Sequence, residues 1–167
     1  MDKIVSNNDE VYVLKNFLPQ DECNKYFEKV RDIGPVDPAE DGDPNLPWSV
    51  RTYDVTKDPI VENVTKYLNK RFNLNLKIAN AEVQNHHVNS RCLMHIHLDK
   101  WENDKILYNS LIYLNDDFDG GEFVTEGGVS IKPEVGMLTF FNGVAVCHGV
   151  KKVLKKDRKT IIFWWKL

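Results

Sequence analysis

The chain has 167 residues, 42% of them hydrophobic and 28% charged, with a net charge of −3. That is enough chain for one domain with a real core, and the acidic balance gives no ground for nucleic-acid or membrane binding through bulk charge. No apolar run approaches the roughly 18 residues that span a bilayer, and the opening MDKIVSNNDE is polar, without the apolar stretch of a secretory leader.

Three scattered cysteines, Cys23, Cys92 and Cys147, form no C-x-x-C pair. They read as reduced thiols of a cytoplasmic protein, which leaves the sequon at Asn63-Val64-Thr65 without consequence. The oligomeric state is not legible in the sequence.

In chain order, EVYVLKNFLPQDECNKYFEKVRDIG reads as a strand followed by a helix. Pro19 suits the first helical turn, and Asp21 and Glu22 suit the positive end of the helix dipole. Cys23, Tyr26, Phe27, Val30 and Ile33 recur at helical spacing until Gly34-Pro35 ends the run, and the stripe reads as core. The Pro-, Asp- and Gly-rich stretch from Pro35 to Pro47 reads as a loop long enough to act as a flap. A second helix opens at Asp58-Pro59, with Val61, Val64, Leu68 and Phe72 on one face.

From about Lys77 the texture changes to some eight short strand-like segments. They are punctuated by Asn89-Ser90, Asp119-Gly120-Gly121, Gly127-Gly128 and Asn142-Gly143. Two helices followed by many short strands predict an antiparallel sandwich or barrel with helices packed on one side. The expected organisation is a single domain, 1–167, with a helical support over 1–76 and a β core over 77–167.

Within the β region lies CLMHIHLDK, Cys92 to Lys100. Side chains alternate along a strand, so His97 and Asp99 can point the same way and form a chelating pair. His148, on a later segment, supplies a distal imidazole. Two imidazoles and one carboxylate are the ligand set of non-haem Fe(II) oxygenases, which keep open positions on the metal. Ten residues on stands Arg158, which on a strand shares a face with Thr160, Ile162 and Trp164. A guanidinium inside a barrel requires an anionic partner, and a dicarboxylate cosubstrate would supply one.

These residues, with YLNDDFDGGEF (113–123) and KPEVGMLTFF (132–141), resemble the 2-oxoglutarate- and Fe(II)-dependent dioxygenases, most closely the prolyl 4-hydroxylase-like branch. The resemblance covers roughly residues 77–167 and implies a double-stranded β-helix, or jelly roll. It implies Fe(II) on His97, Asp99 and His148, and 2-oxoglutarate chelating that metal with its distal carboxylate on Arg158. Tyr113 and Asn109 match residues beside that carboxylate, and Trp164 matches a tryptophan near the metal. Thr160 and His87 are further candidates for the pocket. His95 reads as a polar residue beside the site, with metal contact the sharper alternative.

The implied reaction uses O2 to hydroxylate a C–H bond, first of all on a peptidyl residue such as proline, with release of succinate and CO2. Ascorbate would be an auxiliary reductant, and the partner is a peptide, a protein or a small molecule. The chain departs from the pattern in carrying Arg158 where collagen-type enzymes have lysine, and His87-Val88 where many relatives have a tyrosine. Trp164 occupies the place of a second arginine found in nucleic-acid demethylases, which argues against that branch. The basic run from Lys151 to Lys159 reads as a solvated face. Two other readings stay open: a cupin-type site built from His95, His97, Glu102 and His148, and a non-catalytic jelly-roll binding module.

Overall fold

The computed structural model describes residues 1–31, 50–97 and 106–167. Thirteen strands and two helices follow one another: β1 (Asp2–Ser6), β2 (Asp9–Leu14), α1 (Gln20–Glu28), β3 (Val50–Asp54), α2 (Pro59–Phe72), β4 (Lys77–His86), β5 (Cys92–His95), β6 (Tyr108–Tyr113), β7 (Asp119–Gly120), β8 (Phe123–Thr125), β9 (Ser130–Ile131), β10 (Leu138–Asn142), β11 (His148–Val150), β12 (Val153–Leu154) and β13 (Arg158–Lys166). The mainly β, jelly-roll architecture anticipated from the sequence is the one observed. A seven-stranded sheet in the order β1-β2-β10-β6-β13-β4-β3 faces a four-stranded sheet in the order β5-β11-β8-β9, and β12 pairs with β7. All recorded pairings are antiparallel.

The segment 1–76 is more than helical support, because β1, β2 and β3 all join the large sheet. Asn7 and Asn8 adopt positive φ (46° and 73°), which lets a two-residue turn fold β1 onto β2 in register Ser6↔Asp9. The second helix begins where the sequence places it. Asp58 accepts from the Ile60 backbone N–H (3.2 Å), Pro59 takes the first turn, and Asn73 closes the helix with φ 52°. The first helix starts one residue later than expected, with Pro19 at the N-cap, and ends at Glu28 rather than at Gly34. Val30 is still buried beyond its end. Ile33 and the loop 35–47 lie outside the described residues.

Strand alternation divides the apolar residues into two cores. Ile112, Leu114, Leu138, Phe140, Ile161, Phe163 and Trp165 pack against Val61, Val64 and Leu68 of α2 and Cys23 and Tyr26 of α1. The opposite parity, including Val11, Val13, Leu111, Tyr113 and Phe141, meets Phe123, Val129, Ile131 and Val146 from the small-sheet side. The functional residues lie on this second, inner face.

Candidate active site

Directly paired residues in a sheet share a face, so the register of β13 determines its inner neighbours. Arg158 lies opposite His86, Thr160 opposite Gln84 and Tyr113, Ile162 opposite Leu111, and Trp164 opposite Asn109. The expected common face of Arg158, Thr160, Ile162 and Trp164 is therefore present. Trp165 points the other way, into the helix-side core, where its indole N–H donates to Ser110 Oγ at 2.9 Å.

Arg158 is 0% exposed, and its Cζ lies 5.2 Å from the centre of the Tyr113 ring. Among the described residues none of its Nε, Nη1 and Nη2 atoms has a hydrogen-bond partner, and the same holds for Tyr113 Oη and Thr160 Oγ1. Burial lowers the Arg158 pKa from its ordinary value, but a guanidinium stays charged in a protein. A buried cation flanked by a phenol and a hydroxyl, all able to donate and none with an acceptor, fits a carboxylate group. The DGGEF turn holds this arginine from below. Gly121 has φ +66°, and a Cβ there would stand 3.1 Å from Arg158 Cδ and 2.8 Å from Phe118 Cε2.

His97 follows β5, and its backbone N–H donates to the Gly143 carbonyl at 2.9 Å. His148 opens β11, with its Nδ1 donating to the Val146 carbonyl at 2.8 Å. The two rings are stacked, 7° from parallel, with Nε2 atoms 3.3 Å apart. Burial pushes the His97 pKa down to about 4 and that of His148 to about 3, so both imidazoles are neutral at neutral pH. A neutral His148 that donates from Nδ1 has a lone pair on Nε2. Two Nε2 atoms at this separation need a proton or a cation between them, and a neutral imidazole held through Nδ1 by a carbonyl, as His148 is, is the form that binds metals.

His95 joins the pair. It lies opposite His148 in register, and the ligating atoms of His95, His97 and His148 all fall within 4.8 Å of one another. Asp99, the expected carboxylate ligand, and Glu102 lie outside the described residues. Asn109 is fully buried on the inner face, and its Oδ1 is unpaired among the described residues. A Cβ on Gly143 would collide with that Oδ1 and lie 3.1 Å from His97 Cδ2, which connects Asn109 to the metal side of the site.

His87, one of the expected pocket residues, follows directly on β4. Its Nδ1–H donates to Asp157 Oδ2 at 2.9 Å, whereas the residue opposite Arg158 is His86. The His86 pKa is held well below 6.5 by burial first and by the Arg158 charge second. Thr139, also fully buried on the inner face with an unpaired Oγ1 among the described residues, is a further polar group that the sequence reading missed.

Comparison with known proteins bears on this arrangement. The profile of the 2OG-Fe(II) oxygenase superfamily matches residues 81–166, which carry Arg158, Tyr113 and all three clustered histidines. The chain belongs to the 2OG-Fe(II) oxygenase superfamily. The superfamily's name carries Fe(II) and 2-oxoglutarate, a metal and a carboxylate that the histidine cluster and the buried Arg158 fit.

Among curated proteins, this oxygenase is similar to prolyl 3-hydroxylase 2 of Mus musculus, with 45% identity over 67 residues. The match covers 36% of this chain and 10% of the mouse protein, so the chain is similar to only about a tenth of that relative. A viral collagen prolyl hydroxylase from Paramecium bursaria Chlorella virus-1 superposes with a TM-score of 0.71 at 15% identity, covering 93% of this chain and 94% of the other. A Trichoplax adhaerens prolyl hydroxylase bound to a hypoxia inducible factor peptide fragment gives 0.73 at 18% identity, over 93% and 83%. A Pseudomonas putida prolyl-4-hydroxylase gives 0.69 at 18%, over 93% and 91%. These structures share the fold. Superfamily membership favours the oxygenase reading over the cupin-type and non-catalytic ones.

Proposed function

We propose that this oxygenase hydroxylates a prolyl residue within a polypeptide. The observation that carries the cosubstrate half of the reading is the fully buried, unpaired Arg158 beside Tyr113 and Thr160. In this reading Arg158 pairs with the distal carboxylate of 2-oxoglutarate, Tyr113 and Thr160 donate to it, and His86 closes the pocket wall. His97, Asp99 and His148 hold Fe(II). When bound, Fe(II) would activate O2, the four-electron oxidant, which takes two electrons from 2-oxoglutarate as it becomes succinate and CO2 and two from the substrate as C–H becomes C–OH.

The chain's own residues orient and shield. The inner-face residues Phe141 and Phe123 pack on the His148 ring at 4.5 and 5.7 Å and limit water around it. The proposal of a prolyl substrate is supported by the names of the curated relative and of the superposed enzymes. Ascorbate is proposed as the auxiliary reductant. A reducing, cytoplasmic setting is proposed on the three free cysteines. No described helix is long and apolar enough to cross a membrane.

The test is a proline-containing peptide library incubated with Fe(II) and 2-oxoglutarate, read by mass spectrometry for one added oxygen and by succinate release. Hydroxylation on proline, lost in His97→Ala and Asp99→Ala, is expected. Oxygen added only to another residue type, or only to a free small molecule, would refute the prolyl assignment. Turnover that survives His97→Ala would refute the metal ligands.

A further inference from the structure

His95 is not needed to complete a triad of His97, Asp99 and His148, yet the fold places it against both histidines. β5 pairs with β11 so that His95 and His148 stand directly opposite each other. Their ring centres are 4.4 Å apart, and the His95 and His97 centres are 5.1 Å apart.

The orientation of the ring is as informative as its position. His95 Nδ1 lies 2.8 Å from the Leu93 carbonyl, and a carbonyl only accepts, so Nδ1 carries the proton and the lone pair sits on Nε2. His148 is arranged the same way, with Nδ1 on the Val146 carbonyl at the same distance. A ring N–H held by a backbone carbonyl is the usual support of a metal-ligating histidine, fixing its tautomer and its direction. Two cross-strand neighbours beside His97 are thus held in the same tautomer.

We infer that His95 is a third, exchangeable imidazole ligand, which holds a divalent cation together with His97 and His148 while the cosubstrate is absent and yields its place when 2-oxoglutarate chelates. The inference rests on the metal centre proposed above. Two nitrogens on one metal at about 2.1 Å each can lie at most about 4.2 Å apart. The 4.8 Å span of the cluster therefore needs a closure of at least about 0.6 Å (4.8 − 4.2). Half-exposed His95, at the end of the edge strand of the small sheet, can make that movement, whereas His148 is buried.

Coordination number explains why the ligand must be exchangeable. A triad leaves three places on an octahedral metal. The chelating cosubstrate takes two and the oxidant needs the last, so a fourth protein ligand would block the reaction. Without cosubstrate those places are free. Three imidazoles then favour Cu(II), Ni(II) and Zn(II) over Fe(II), so the resting centre is prone to capture these cations, and 2-oxoglutarate counteracts the capture.

The experiment adds one equivalent of Cu(II) to the purified full chain and counts coordinated nitrogens by electron paramagnetic resonance and pulsed spin-echo methods. Three nitrogens are expected in the wild type, two in His95→Phe, and two in the wild type after saturation with 2-oxoglutarate. His95→Gln, which keeps a polar side chain on the edge strand, should match His95→Phe if ligation is what was lost. Ni(II) affinity, by calorimetry, should fall about tenfold or more in both variants. Two nitrogens in wild type and variants alike, with unchanged Ni(II) affinity, would overturn the inference while leaving the triad intact. A wild-type Cu(II) spectrum in His97→Ala would overturn the metal centre itself, and with it the role of His95.

Discussion

Arg158→Met separates a binding role from a structural one, because the two predict opposite signs. In the free protein the guanidinium is fully buried, and among the described residues no hydrogen bond or ion pair satisfies it. Replacing buried ionic groups by well-packed apolar ones commonly stabilises by about 1–4 kcal/mol. The contact with the Tyr113 ring at 5.2 Å is worth about 0.5–2 kcal/mol to the arginine, which, low against low and high against high, leaves a net gain of about 0.5–2 kcal/mol. For a domain of this size that is a rise in Tm of about 1–8 °C. Cosubstrate affinity should move the other way. Charge-assisted hydrogen bonds contribute about 1.5–3 kcal/mol, so the variant should bind 2-oxoglutarate about 10- to 150-fold more weakly. The assay is thermal unfolding with Mn(II) as a redox-silent metal, with and without 2-oxoglutarate, combined with calorimetric titration. The wild type should gain Tm on adding 2-oxoglutarate, and the variant should start higher and gain little. A variant with unchanged 2-oxoglutarate affinity, or one less stable than wild type before any ligand is added, would refute the assignment of Arg158 as the carboxylate partner.

Other perturbations test neighbouring parts of the site and its scaffold. Gly143→Ala drives a Cβ into Asn109 Oδ1 and close to His97 Cδ2, so Mn(II) affinity should fall while circular dichroism shows a folded chain; unchanged affinity would mean that the loop yields freely. His86 is kept neutral when folded, its pKa well below 6.5. Below pH 6.5 the unfolded chain takes up a proton that the folded one refuses, so stability is full above 6.5 and falls as pH drops, by up to about 1.4 kcal/mol per pH unit for this group. His86→Phe should flatten the stability profile between about pH 6.5 and 5 in denaturant titrations, and an unchanged slope would count against a neutral buried imidazole. Asp58 caps α2 and also accepts from the Tyr26 hydroxyl, so Asp58→Ala should cost about 1–2 kcal/mol, seen as a lower denaturation midpoint with Mn(II) affinity unaltered.

Much of this architecture was legible because its signals are local. Asp58-Pro59 opens a helix by capping chemistry, and Val61, Val64 and Leu68 mark its buried face by period alone. Alternation placed Arg158, Thr160 and Trp164 on one face of a strand, and Tyr113 and Asn109 on one face of another. The β1 hairpin was missed although its Asn7-Asn8 turn is a local signal, because a strand with mostly exposed residues carries little hydrophobic pattern.

The sequence by itself determined the chemistry on offer: two histidines, a carboxylate and an arginine, in an order and spacing shared with the 2OG-Fe(II) oxygenases. Tertiary structure decided which groups meet. The register of β4 against β13 puts His86, not His87, opposite Arg158, and a shift of one residue would reverse every side chain of that strand. The register of β5 against β11 brings His95 to His148 across 53 residues of sequence (148 − 95). Neither pairing has a local signature, because hydrogen bonds between distant strands set the alignment and burial of the inner face holds it there.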